Sequence, residues 1–114
     1  MDDLQAIVDA QPFFAGLTPA QRATIGACAS TAEFAAGRYL FHAGSPADFL
    51  YLLRTGRVAL EVSAPGRGRM AFQTIEPGEL VGLSWLVAPY AWHFDAKALA
   101  PVTAVAIDAR CLRG

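Results

Sequence analysis

Apolar positions along the chain change their period near residue 31, and the change divides a helical start from a strand-rich remainder. Leu4, Ile7 and Val8 recur at helical spacing and predict a short helix over residues 3–10, ended by Pro12. Thr18 stands directly before Pro19, an N-cap residue followed by proline at the first helical position. That pair predicts a second helix over 19–29, with Ile25, Cys28 and Ala29 turned toward a core. Beyond it, short apolar runs alternate with glycine and proline. Phe34, Tyr39–Phe41, Phe49–Leu53, Val58–Val62, Met70–Ile75, Phe94–Ala98 and Val102–Ile107 read as strands. Gly37, Gly44-Ser45-Pro46, Gly56 and Pro77-Gly78 fall between them as turns, and Pro65-Gly66-Arg67-Gly68 reads as a hairpin tip. Many short strands at this spacing predict a mainly-β sandwich, barrel or jelly roll.

The 114 residues suit one domain with one core. Residues 1–30 are expected to pack as a helical segment on a β-barrel of residues 31–109, followed by a stub at 110–114 that is too short for a further helix of any length. A chain that is 54% hydrophobic and 17% charged is not a disordered tail. The net charge is −1, and the basic residues cluster only at Arg67 and Arg69. Without a basic stripe, neither direct nucleic-acid binding nor cationic membrane attachment is expected. No apolar run reaches the roughly 18 residues of a membrane span. Met1–Asp9 carries Asp2 and Asp3 and no basic region, unlike a signal peptide, so a cytoplasmic protein is expected. Cys28 and Cys111 lie far apart with no metal-type spacing, and they read as two reduced thiols.

The order of these motifs resembles a known family. Pro12-Phe13-Phe14-Ala15-Gly16-Leu17-Thr18 is similar to the opening of cyclic-nucleotide-binding domains, as in bacterial catabolite-activator-like sensors. Ala36-Gly37, Tyr39-Leu40-Phe41 and Ala43-Gly44 resemble their first strand pair. Phe49–Leu53 with Gly56-Arg57-Val58 resembles the next hairpin, and Pro77-Gly78-Glu79-Leu80-Val81-Gly82 the entrance to the phosphate-binding cassette. The resemblance covers residues 12–109. It implies a β-jelly roll or barrel with short N-terminal helices and a truncated C-terminal helix.

It also implies a site. In the family, a short helix after the glycine turn aims its amides at the cyclic phosphate. A glutamate just after that glycine takes the ribose hydroxyl, and an arginine at the start of the next strand forks onto the phosphate. Here the glycine is Gly82, the glutamate position holds Leu83, and the arginine position falls at Trp92 or His93. Lys97 lies too far along the strand to substitute. Hydrogen bonds to charged groups contribute roughly 1.5–3 kcal/mol each. Losing both anchors therefore lowers affinity by about two to four decades. What remains is Ser84 with the backbone amides of Gly82 and Leu83, surrounded by Trp85, Tyr90, Trp92, His93 and Phe94. An aromatic-lined pocket with few polar groups suits a small anionic or flat aromatic ligand. With no helix-turn-helix in the sequence, output is expected to pass through a protein partner or a homodimer.

Plainer roles compete for the same residues. Trp85, Trp92 and Leu83 also suit a core, and His93 suits either a structural role or a pH-sensitive one. Asp95 is expected to balance His93 or Lys97, or to face water. Glu79 reads as a solvated turn residue, and Arg54 and Arg57 as surface charges. His42 and His93 form no HxH pair, and Ser84 lies in no GxSxG. No catalytic residue, metal or cofactor is expected. Three functions are consistent with this pattern. They are a ligand sensor, a degenerate domain used for protein assembly, and a weak cyclic-nucleotide binder working through backbone amides.

Overall fold

Thr18 opens the second helix as its sequence suggests. Its hydroxyl accepts the Gln21 amide at 3.1 Å, and the Gln21 side chain accepts the Thr18 amide at 2.9 Å, a reciprocal capping box. The computed structural model describes residues 4–45, 48–64, 66, 68–81, 94–108 and 110–111. Helix α1 (Leu4–Ala10) is followed by a 3-10 turn (Pro12–Phe14) and helix α2 (Pro19–Ala27). Eight strands follow: β1 (Ala29–Phe34), β2 (Tyr39–Phe41), β3 (Phe49–Thr55), β4 (Val58–Ala64), β5 (Gly68–Ile75), β6 (Leu80–Val81), β7 (Asp95–Ala98) and β8 (Val102–Asp108). None of the described helices is long and apolar enough to cross a membrane.

The strands form two antiparallel four-stranded sheets, ordered β1-β8-β3-β6 and β2-β7-β4-β5. This is the mainly-β jelly-roll arrangement that the motif order implied. β3 and β8 lie side by side in the first sheet, and four consecutive residues of each, Leu50–Leu53 and Ala104–Ile107, are buried. A strand covered on one face alternates, whereas one covered on both reads as a continuous apolar run. Leu4 and Ile7 of α1 share a hollow with Val105 of β8, which places α1 over that sheet. The second sheet closes the opposite side of the core with Leu40, Phe41, Val58, Leu60, Ala96 and Ala98.

Two features differ from the sequence reading. Strand β1 runs from Ala29, although only Phe34 marked it as apolar. Ser30, Thr31 and Glu33 are exposed, so the strand is set by its six-residue ladder with β8 rather than by its own pattern. The second correction concerns the cysteines, which are joined in a disulfide rather than standing as two reduced thiols. The ladder pairs Ala29 with Ile107, so Cys28 meets the end of β8, where its carbonyl accepts the Asp108 amide at 2.9 Å. The Asp108 carboxylate then accepts the amides of Arg110 (2.9 Å) and Cys111 (3.2 Å), as an N-cap does. The resulting turn sets the two Cα atoms 5.8 Å apart, within disulfide range. Strand register created this proximity, and residue spacing carries no trace of register.

The β3–β4 turn depends on Gly56, whose φ is +87°. A Cβ there would press on the Pro101 carbonyl oxygen and lie 2.8 Å from Val102 Cγ2. A left-handed non-glycine residue costs roughly 1–2 kcal/mol before any clash. Gly56→Ala is therefore expected to destabilise the domain by about 2 kcal/mol in urea unfolding.

Candidate ligand-binding site

Of the residues predicted to hold a ligand, Phe94 is described. Gly82, Leu83, Ser84, Trp85, Tyr90, Trp92 and His93 lie outside the described residues. The structure therefore defines the frame around that segment. On the entry side, Val81 pairs with Tyr51 and Leu80 with Leu52 in the first sheet. On the exit side, Asp95 begins β7 in the second sheet, opposite Glu61. The two strands that flank the predicted site in sequence thus belong to different sheets.

Aromatic rings line this frame. Phe94 lies 5.9 Å from Phe41 and meets Phe72 edge-to-face at 5.8 Å. Tyr51, the register partner of Val81, contacts Phe34 at 5.9 Å, Phe49 at 6.1 Å and Phe41 at 6.3 Å. The rings come from both sheets and form one apolar wall, in geometries that favour aromatic pairs. Beside it lies an open hollow of about 340 Å³, bordered by Tyr39, Phe41, His42, Ser45, Phe49 and Tyr51. Burial raises the Tyr51 pKa above the ordinary 10.0, with a smaller push from the Asp48 carboxylate. Folded Tyr51 keeps its proton where the unfolded side chain releases it. Its contribution to stability is therefore complete below about pH 10 and declines as pH rises toward the folded value. Spectrophotometric titration is expected to show tyrosine ionisation above pH 10 from Tyr51 and Tyr39, of which Tyr51→Phe removes the Tyr51 share.

Asp95 departs from its expected role. It is only 5% exposed and neither faces water nor pairs with Lys97; His93, its other expected partner, lies outside the described residues. Its carboxylate accepts the Ala43 amide at 2.7 Å, is ion-paired with Arg69, and lies 3.5 Å from Nδ1 of His42. One side chain thus ties the first residue of β7 to the turn after β2 and to the β4–β5 hairpin. Lys97 instead lies over the Tyr39 ring at 5.9 Å, and Arg69 covers the same ring at 5.2 Å. The Tyr39 hydroxyl donates to Glu61 at 3.0 Å, a bond that raises its pKa. Ala43 and Asp95 are 52 residues apart, so no local pattern could have revealed the contact.

A second such residue is Gln11, buried although polar. Its Nε2 donates to the Gly78 carbonyl at 3.2 Å, and its Oε1 accepts the Phe13 amide at 3.2 Å. It fastens the 3-10 turn to the turn preceding β6, the entrance of the predicted site. Glu79, in that same turn, is exposed and accepts the Glu76 amide at 2.7 Å, in keeping with a turn role. Arg57 is exposed beside Glu76 at 3.4 Å. Among the described residues, no group of three or more His, Cys, Asp or Glu side chains converges as a metal site.

Comparison with known proteins agrees with this architecture. A family model described as the cyclic nucleotide-binding domain matches residues 31–114. No curated protein sequence matches the chain. Among solved structures, a putative cyclic nucleotide-binding protein from Geobacter metallireducens is 32% identical, with a TM-score of 0.84. The alignment covers 99% of this chain and 80% of that one. The N-terminal domain of a transcriptional regulator from Streptomyces coelicolor is 31% identical, with a TM-score of 0.79 over 94% of this chain and 75% of that one. The fold also matches the regulatory subunit of a cAMP-independent protein kinase A from Trypanosoma cruzi bound to guanosine. There the TM-score is 0.82 at 20% identity, over 92% of this chain and 38% of that one.

Proposed function

We propose, since this chain belongs to the cyclic nucleotide-binding domain family, that it is a non-catalytic ligand-sensing domain whose pocket takes a small anionic or flat aromatic molecule rather than cAMP or cGMP. The observation that carries this reading is the aromatic wall of Phe41, Phe94, Phe72 and Tyr51, which includes Phe94, the described residue of the predicted site. It is joined by a sequence in which Leu83 and Trp92 or His93 occupy the two anchor positions. The described frame supplies stacking surface, and the cassette sequence supplies Ser84 and amides in place of a carboxylate and a guanidinium. The Trypanosoma cruzi regulatory subunit of similar fold is bound to guanosine, which supports this reading. The similarity to the N-terminal domain of a bacterial transcriptional regulator supports a cytoplasmic site of action.

The test is a thermal-shift titration with cAMP, cGMP and a panel of anionic and aromatic metabolites. A ligand that binds only the native state raises the melting temperature by mass action. Cyclic nucleotides at micromolar concentration are expected to give no rise, and a panel member is expected to give one. A clear rise with cAMP would overturn the reading. If weak binding persists through amides alone, Leu83→Glu with Trp92→Arg is expected to strengthen it by about two to four decades.

A second reading, an assembly module, has its own support. Val62, Met70 and Phe72 are exposed on the β4–β5 hairpin, with Phe72 at 53%. Contiguous exposed apolar side chains favour association, and the occupant we favour is a second copy of this chain. Sedimentation equilibrium would then show a dimer that Phe72→Ser weakens; a monomer at all concentrations removes this reading.

A further inference from the structure

We propose that Cys28–Cys111 is a thiol–disulfide exchange site, opened and closed through Cys111, that determines whether the segment after β8 is held against the end of α2. The two sulfurs are unlike in exposure. Cys28 is the C-cap of α2 and only 9% exposed, whereas Cys111 is exposed. An incoming thiolate must reach a sulfur along the disulfide axis, and access decides which sulfur is attacked. The accessible one is Cys111.

The partner chemistry is a low-molecular-weight thiol and its disulfide. The thiolate attacks Cys111 Sγ, the Cys28–Cys111 bond breaks, and Cys28 leaves with the electron pair and takes a proton. This leaves a mixed disulfide on Cys111. A second thiolate attacks the small molecule's sulfur and releases Cys111 as a thiolate. The protein disulfide gains two electrons, and two small thiols become one small disulfide. Closure is the reverse, with the small disulfide as oxidant.

The mechanical consequence follows from what else holds the segment. Arg110 lies 3.9 Å from Asp48 and 3.8 Å from Asp108, and the Asp108 carboxylate accepts two amides of the turn. These contacts are at the surface, where water competes with ion pairs and hydrogen bonds alike. The disulfide is the covalent tie among them. Opening it frees the turn while the β3–β8 ladder stays intact. The inference needs no ligand and stands whether or not the domain senses one.

The experiment treats the whole 114-residue chain with dithiothreitol without denaturant, traps thiols by alkylation, and follows mass and amide hydrogen exchange. Native-state opening is expected at a rate that does not change with urea below the unfolding transition. Exchange at residues 110 and 111 is expected to rise at least tenfold on reduction and to run ahead of exchange at Leu52 and Val105, which follows global unfolding. With oxidised glutathione, C28S is expected to acquire the adduct at Cys111 at least tenfold faster than C111S acquires it at Cys28. Reduction that requires urea, equal adduct rates, or unchanged exchange at 110–111 would each overturn the proposal. The wild-type measurements decide the matter even if a serine variant fails to fold.

Discussion

Full reduction of the Cys28–Cys111 disulfide is expected to lower the unfolding free energy by about 4.5 kcal/mol, the chain-entropy value for a loop of this length. The cross-link spans 83 residues and encloses all eight strands, so it restrains nearly the whole unfolded chain. With about 2.1 cal/mol/K of unfolding entropy per residue, the melting temperature should fall by roughly 15–20 °C. Chemical denaturation with and without dithiothreitol measures this directly. Chains carrying serine at both positions should match the reduced wild type and ignore the reductant. A loss below about 1 kcal/mol would mean that the reduced chain keeps its ends together without the bond.

Arg69→Ala is expected to cost about 3 kcal/mol, while Asp95→Ala costs about 1–2 kcal/mol. The asymmetry comes from burial. Asp95 is 5% exposed, so losing Arg69 leaves a buried carboxylate without its arginine, whereas the Ala43 amide it accepts lies in an exposed turn that water reaches when the carboxylate goes. The Arg69 side chain is 46% exposed and returns to water when its partner goes. Paired denaturation curves test this, and a smaller loss for Arg69→Ala than for Asp95→Ala would show that the Ala43 bond rather than the ion pair carries the energy. Because Asp95 follows Phe94 directly, Asp95→Ala should also loosen the ring contacts to Phe41 and Phe72. A change in near-ultraviolet circular dichroism would report it.

The assembly of this domain explains why some features were readable in advance. The helices announced themselves through local chemistry, in the helical spacing of Leu4, Ile7 and Val8, in Thr18 as an N-cap and in the proline at the first position of α2. The inner strands announced themselves through continuous apolar runs, since β3 and β8 are covered on both faces. The glycine turns were legible because a positive φ restricts the residue type, as at Gly56. The order of these local signals was enough to imply the jelly roll and to suggest where a site is to be sought, after β6.

Tertiary structure decided the rest. Strand β1 has a weak pattern of its own and exists through pairing with β8. Asp95 was expected to balance His93 or Lys97 or to face water, because neither Ala43 nor Arg69 is near it along the chain. Gln11 carries no local sign of its bond to Gly78, 67 positions away. The two cysteines looked unrelated until strand register brought them together. In each case the sequence by itself specified the chemical capacity of the group, a carboxylate, an amide or a thiol. The partner was chosen by which strands lie side by side and in what register, and that is a property of the packed whole.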